Sequence, residues 1–197
     1  MAERAEASDT RRDPKDLVYF LPIGATHDTL TDASLEDLVQ HFLGARGSWL
    51  PPEPVPAGAY VEARGQVDST ALMHRALERI PADGLRILAL TEVDIMIPTL
   101  TFLYGRAQLD GPVALVSLAR LKQEFYGRAP DNRILADRVR KEALHELGHT
   151  FGLTHCTDRS CVMAHSVGIL DIDRKHLGLC TNCDEWRRAS VAVRVEG

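Results

Sequence analysis

Nothing in the 197-residue sequence approaches the roughly 20 apolar residues that a membrane-spanning helix requires, so no span is expected. A strong excess of either charge is also missing. The formal net charge of −5 leaves no overall basic surface, which removes the electrostatic footprint of a nucleic-acid binder. The opening residues MAERAEASDTRRDPKD are rich in charge and hold no apolar stretch of the kind a secretion signal needs, so cytoplasmic residence is expected. There is no internal repeat and no low-complexity tract. Cysteine is scarce: the four present all fall between Cys156 and Cys183, and in a reducing cytosol such clustering favours metal over disulfides. What remains is ordinary for a globular chain, with 45 % hydrophobic and 26 % charged residues and enough length for one substantial core.

Patterning divides the chain into three parts. Residues 1–16 read as a polar tail. Residues 17–152 carry a strand at Leu17 to Leu21, an apolar helical stripe of Leu35, Leu38, Val39, Phe42 and Leu43 after the cap candidates Asp32 and Ser34, and a proline-stiffened loop from Pro51 to Pro56. Tyr60-Val61-Glu62 reads as a second strand and Leu72, Met73, Ala76, Leu77 and Ile80 as a second helical stripe. The continuous apolar runs Ile87 to Leu90 and Val113 to Val116 are typical of central strands covered on both faces, with Phe102-Leu103-Tyr104 as an edge strand between them. This alternation implies an α/β fold with a twisted, mixed, mostly parallel sheet and right-handed crossovers. A long helix from about Asn132 to Phe151 follows, with Arg138, Arg140 and Lys141 expected to face solvent. Residues 153–197 form a smaller part, poor in apolar residues, that something other than packing must hold.

The end of that long helix carries chemistry. His145-Glu146-Leu147-Gly148-His149-Thr150-Phe151-Gly152-Leu153-Thr154-His155 fits H-E-x-x-H-x-x-G-x-x-H. Two histidines four apart on a helix differ by about 40° in azimuth and about 6 Å in height, so both imidazoles can converge on one ion. Glu146, about 100° from His145, stays off the ion but reaches a water bound there. Gly152 can take a positive φ and turn the chain, bringing His155 in as a third ligand. Three neutral imidazoles leave one tetrahedral zinc position open, the arrangement of a catalytic site, with Glu146 placed as the base. With 8 His and 14 Gly in the chain, chance would produce this spacing in roughly one shuffled sequence in twenty thousand. His27, His41, His74 and His176 are expected to have no part in the site. His165, two residues past Met163, is a weaker candidate for touching substrate or metal water.

Cys156, Cys161, Cys180 and Cys183 form two short hooks that suit a closed, structural tetrahedral zinc. Two disulfides, a redox C-x-x-C or an iron–sulfur cluster are the alternatives. A redox role wants Cys180 at a helix start, and no such setting is expected after Leu177.

HELGHTFGLTHC, then CVM, then CTNC resembles the archaemetzincin family of metzincin zinc peptidases. The likeness extends to LALTEVDIMIP, FLYGRAQ and VALVSLARL upstream, so it covers roughly residues 85–186 and more loosely reaches back to 17. It implies an α+β zincin-like fold, with a backing helix, an active-site helix and a small zinc-stapled C-terminal subdomain. Met163 matches the family's Met-turn methionine. An edge strand, sought at Phe102 to Ala107, would bind extended substrate by backbone pairing. The function read from the chain is a zinc metallopeptidase with two zinc ions, one catalytic and one structural, acting on a peptide or protein, and a monomer is favoured. A non-catalytic zinc scaffold and an amide hydrolase with a non-peptide substrate are the competing readings, and a scaffold would have no use for Glu146.

Overall fold

A computed structural model describes residues 16–24 and 34–195, with side chains up to 189. The expected tail before Asp16, His27 and the cap candidate Asp32 lie outside the described residues. In chain order the elements are β1 (Leu17–Pro22), α1 (Leu35–Leu43), β2 (Arg46–Trp49), β3 (Tyr60–Val61), β4 (Gln66–Asp68), α2 (Ser69–Arg79), β5 (Gly84–Thr91), β6 (Ile95–Ile97), β7 (Leu100–Leu103), β8 (Gly105–Ala107), β9 (Val113–Ser117), α3 (Asn132–Thr150), α4 (Ile169–Arg174) and α5 (Thr181–Val195).

The principal sheet has the order β2-β1-β5-β9-β8; β2, β1, β5 and β9 are parallel and β8 runs antiparallel along the edge. Its central strands are apolar on both faces because helices cover both. Val18, Phe20, Leu88, Leu90, Ala114 and Val116 meet α1 and α3, while Leu21, Ile87, Ala89, Val113 and Leu115 meet Leu72, Met73 and Ala76 of α2. The period of two along each strand sends neighbouring residues into opposite cores.

Several expectations need correction. A second, four-stranded sheet, β3-β4-β6-β7, sits beside the first. Its strands are two to four residues long, too short to write a periodicity into the sequence. Tyr60 and Val61 belong to it, and Glu62 already opens a 3₁₀ turn, Glu62–Arg64. The expected edge strand at Phe102 to Ala107 is divided at buried Tyr104 between β7 in the second sheet and β8 in the first. Arg138 and Lys141 are buried rather than solvent-facing, because α4 packs on α3: Asp173 accepts two bonds from the Arg138 guanidinium at 2.7 and 2.9 Å. Lys141 pairs with Asp137 one turn back at 2.6 Å and also donates to the Asp173 carbonyl at 3.4 Å.

Beyond Gly152, packing contributes more than expected. Leu153, Val162, Met163 and Ile172 enter the same core as α1 and α3. Cys180 does stand at a helix start, immediately before α5, a setting that the polar sequence after Leu177 did not advertise.

Candidate active site

Helix α3 delivers the site. Asp131 caps its N-terminus, accepting from the N–H groups of Arg133 and Ile134 at 2.9 and 3.1 Å. At the other end the Gly152 N–H donates to the His149 carbonyl at 2.9 Å and the Leu153 N–H to the Gly148 carbonyl at 3.1 Å, a Schellman closure. Gly152 adopts φ +90°, and a Cβ there would lie 2.8 Å from the Trp186 ring, so both backbone and space demand glycine. The chain leaves the helix at that point and returns His155 beside His145 and His149.

One nitrogen from each of His145, His149 and His155 lies within 4.8 Å of the others. The Nδ1 atoms of His145 and His149 are engaged by the carbonyls of Val162 and Leu153 at 2.8 and 2.7 Å, which frees both Nε2 atoms, 3.2 Å apart, to face one point. Zinc bonds of about 2.0–2.1 Å in tetrahedral geometry set nitrogens about 3.3 Å apart, so the spacing and donor set fit zinc. Burial lowers the pKa of all three imidazoles, most strongly at His145, and holds them in the neutral form a metal needs.

Glu146 is buried in the wall of the same cleft, and desolvation, assisted by nearby Glu142, pushes its carboxyl well above the ordinary carboxylate range. Its position is set by β8: a Cβ built on Gly105 would fall 2.5 Å from Oε1, 2.6 Å from Cγ and 2.8 Å from Cδ of Glu146. Gly148, on the next turn of the helix, plays a similar part toward the turn at Met163, whose Sδ would lie 2.5 Å from an added Cβ. The cleft is a cavity of about 610 Å³ bounded by β7 and β8, by the end of α3, and by His155 and residues 165–167.

The four cysteines form a second group. They are free thiols whose sulfurs all lie within 4.8 Å of one another, with Cys156 and Cys180 at 3.7 Å. A tetrahedral zinc with sulfur bonds near 2.3 Å sets its ligands about 3.8 Å apart, so this donor set also fits. Burial raises the Cys161 and Cys183 thiols, whereas a hydrogen bond from the Cys183 N–H lowers Cys180. Met163 is buried in the core, its carbonyl accepting from the Cys156 N–H at 2.9 Å. His41, His74 and His176 join neither group, and His165 lines the cleft with its ring centroid 4.7 Å from that of His155.

Three contributors escaped the sequence reading. Glu142 lies one helical turn before Glu146, a spacing that was open to notice, and pairs with Lys175 at 3.3 Å. Lys175 and Gly105 carried no local signal, since only the fold brings them to α3.

The profile of Peptidase family M54 matches residues 62–188, and the chain belongs to that family of metallopeptidases. The archaemetzincin of Pyrococcus furiosus is 48 % identical over 175 residues, covering 86 % of this chain and 91 % of that protein. The archaemetzincin of Methanocaldococcus jannaschii is 44 % identical over 134 residues, covering 68 % and 73 %. Among solved structures, archaemetzincin from Methanopyrus kandleri superposes with a TM-score of 0.78 at 33 % identity, covering 93 % of this chain and 99 % of that one. Archaemetzincin from Archaeoglobus fulgidus, complexed with malonate, gives 0.74 at 31 %, covering 86 % and 98 %. Among the described residues no helix is long and apolar enough to cross a membrane.

Proposed function

We propose that the protein is a zinc-dependent peptidase of archaemetzincin type that hydrolyses peptide bonds with Glu146 as proton acceptor. His145, His149 and His155 are the ligands of the catalytic zinc, and Cys156, Cys161, Cys180 and Cys183 hold a structural one. Zinc bound by the three imidazoles supplies Lewis acidity toward water and toward the scissile carbonyl. Glu146 takes the proton from the attacking water and passes it to the leaving amine, a role helped by its raised pKa. Met163 supports the ligand triad from below as the Met-turn residue. An extended substrate pairs with β8, the open edge of the principal sheet, whose residues 105–107 border the cleft.

The observation that carries this reading is the meeting of three ligand imidazoles and a separate buried carboxylate in one cleft. A scaffold that only presents two metal-shaped surfaces would have no use for that carboxylate. The test is metal analysis and a peptide-library assay on the wild type and Glu146→Gln. Two zinc ions per chain are expected in both proteins and cleavage only in the wild type. Equal turnover in the two would remove Glu146 from the chemistry, and no cleavage by either would favour the scaffold.

A further inference from the structure

One residue in the cleft wall presents a polar group that the fold itself does not use. His165 is exposed, lines the cavity, and makes no hydrogen bond among the described residues.

The backbone fixes where His165 stands. The His145 ring is engaged by the Val162 carbonyl, the Cys156 N–H bonds the Met163 carbonyl, and Cys156 is bridged to Ala164 in parallel register. His155 and His165 lie on either side of this bridge, with their rings 4.7 Å apart at 55°. The nitrogens of His165 do not join the converging group of the other three. The imidazole therefore stands next to the third ligand, outside the ligand set, facing the same open space as Glu146.

We infer that His165 is a further catalytic residue: its ring N–H donates a hydrogen bond to the oxygen of the scissile carbonyl as negative charge develops there. This builds on the peptidase reading above. Glu146 handles the proton of the water, and His165 meets the oxygen that gains charge when water adds. A fixed donor aimed at developing charge accelerates by preorganisation, and removing one such donor lowers kcat by about 10²–10³-fold.

The experiment compares the zinc-loaded wild type, His165→Ala and His165→Gln. It measures metal content, kcat and KM on a cleaved peptide, and the affinities of a phosphinic peptide and of the matching carboxylate product. His165→Ala is expected to keep its zinc and its product affinity, with KM within about threefold, while kcat falls by about 10²-fold. Phosphinic peptide binding should weaken by a comparable factor, and Gln, which restores an N–H donor, should recover part of both losses. The proposal is overturned if zinc is lost in step with activity, which makes His165 a ligand. It is equally overturned if phosphinic and product affinities fall together, or if neither kcat nor phosphinic affinity changes. A wild type that cleaves nothing speaks against the peptidase reading alone, since the phosphinic peptide comparison still decides the role of His165.

Discussion

Gly105→Ala asks whether β8 positions the base. An added Cβ would sit 2.5–2.8 Å from Oε1, Cγ and Cδ of Glu146, whereas ordinary contact begins at 3.4 Å, so the carboxylate must retreat by about 0.6–0.9 Å. A misplacement of about 1 Å in a reacting group can lower the rate by about 10²-fold, equivalent to about 2.7 kcal/mol of barrier. Stability should fall by no more than about 2–3 kcal/mol. Gly105 does not use a left-handed backbone, so alanine stabilises through the unfolded chain by about 0.4–1 kcal/mol, offset by crowding of about 1–3 kcal/mol. The assay is kcat on a cleaved peptide together with zinc content and Tm for four proteins: wild type, Gly105→Ala, Glu146→Ala and the double variant. If glycine acts only through the base, the double variant is no slower than Glu146→Ala alone. A Gly105→Ala enzyme with kcat near wild type would refute the positioning role, as would a loss traced to missing zinc or to a collapse in Tm.

Two other outcomes follow from the site. Cys183→Ser should remove one zinc per chain and destabilise residues 153–189; sites of this type contribute on the order of 10–16 kcal/mol in small zinc domains. Even about 4 kcal/mol corresponds to a fall of about 8–16 °C in Tm for a chain of this size, so unchanged melting and metal content would exclude a structural four-thiol site. In the metal-stripped protein, His145 has a pKa below its unfolded value because burial opposes its charge. The unfolded chain therefore binds more protons, and the contribution of His145 to stability is present above about pH 6.5 and lost as pH falls from there through the folded value. Glu142 and Glu146, with pKa values raised by burial, act in the opposite sense, contributing stability that is lost as pH rises through their folded values. Comparing Tm against pH for metal-stripped wild type and His145→Asn isolates the histidine: the acid decline below about pH 6.5 should be shallower in the variant. An identical slope would mean the ring is not buried neutral.

How much of this was legible depended on the reach of each signal. The apolar runs at 87–90 and 113–116 marked central strands because strands covered on both faces need no polar residue. The convergence of His145 and His149 was legible because a helix converts sequence spacing into azimuth. The second sheet was not, since strands of two to four residues carry no usable period. The charges on α3 misled for a related reason: a pattern read along one helix cannot show that α4 returns to cover it. Arg138 is buried because Asp173, thirty-five residues away, pairs with it. Likewise, the place of Gly105 against Glu146 depends on the pairing of β8 with β9, which no stretch around position 105 encodes.

The two cysteine hooks and the histidine site are best regarded as one mechanical unit. His155 and Cys156 are adjacent, so the four-thiol cluster and the triad share a peptide bond. The other strand of the same connection runs from Cys161 through Val162, whose carbonyl engages His145, to Met163 under the helix and on to His165 in the cleft. Gly148 is what allows this approach. A helix interior disfavours glycine by about 1 kcal/mol relative to alanine, yet a methyl group there would meet Met163 Sδ at 2.5 Å and push the turn away from α3. The last turn of α3 is thus held between two glycine contacts, Gly105 of β8 against Glu146 and its own Gly148 against Met163. Its histidines and its glutamate are positioned by backbone that approaches from two directions, and the four clustered cysteines lie along one of them.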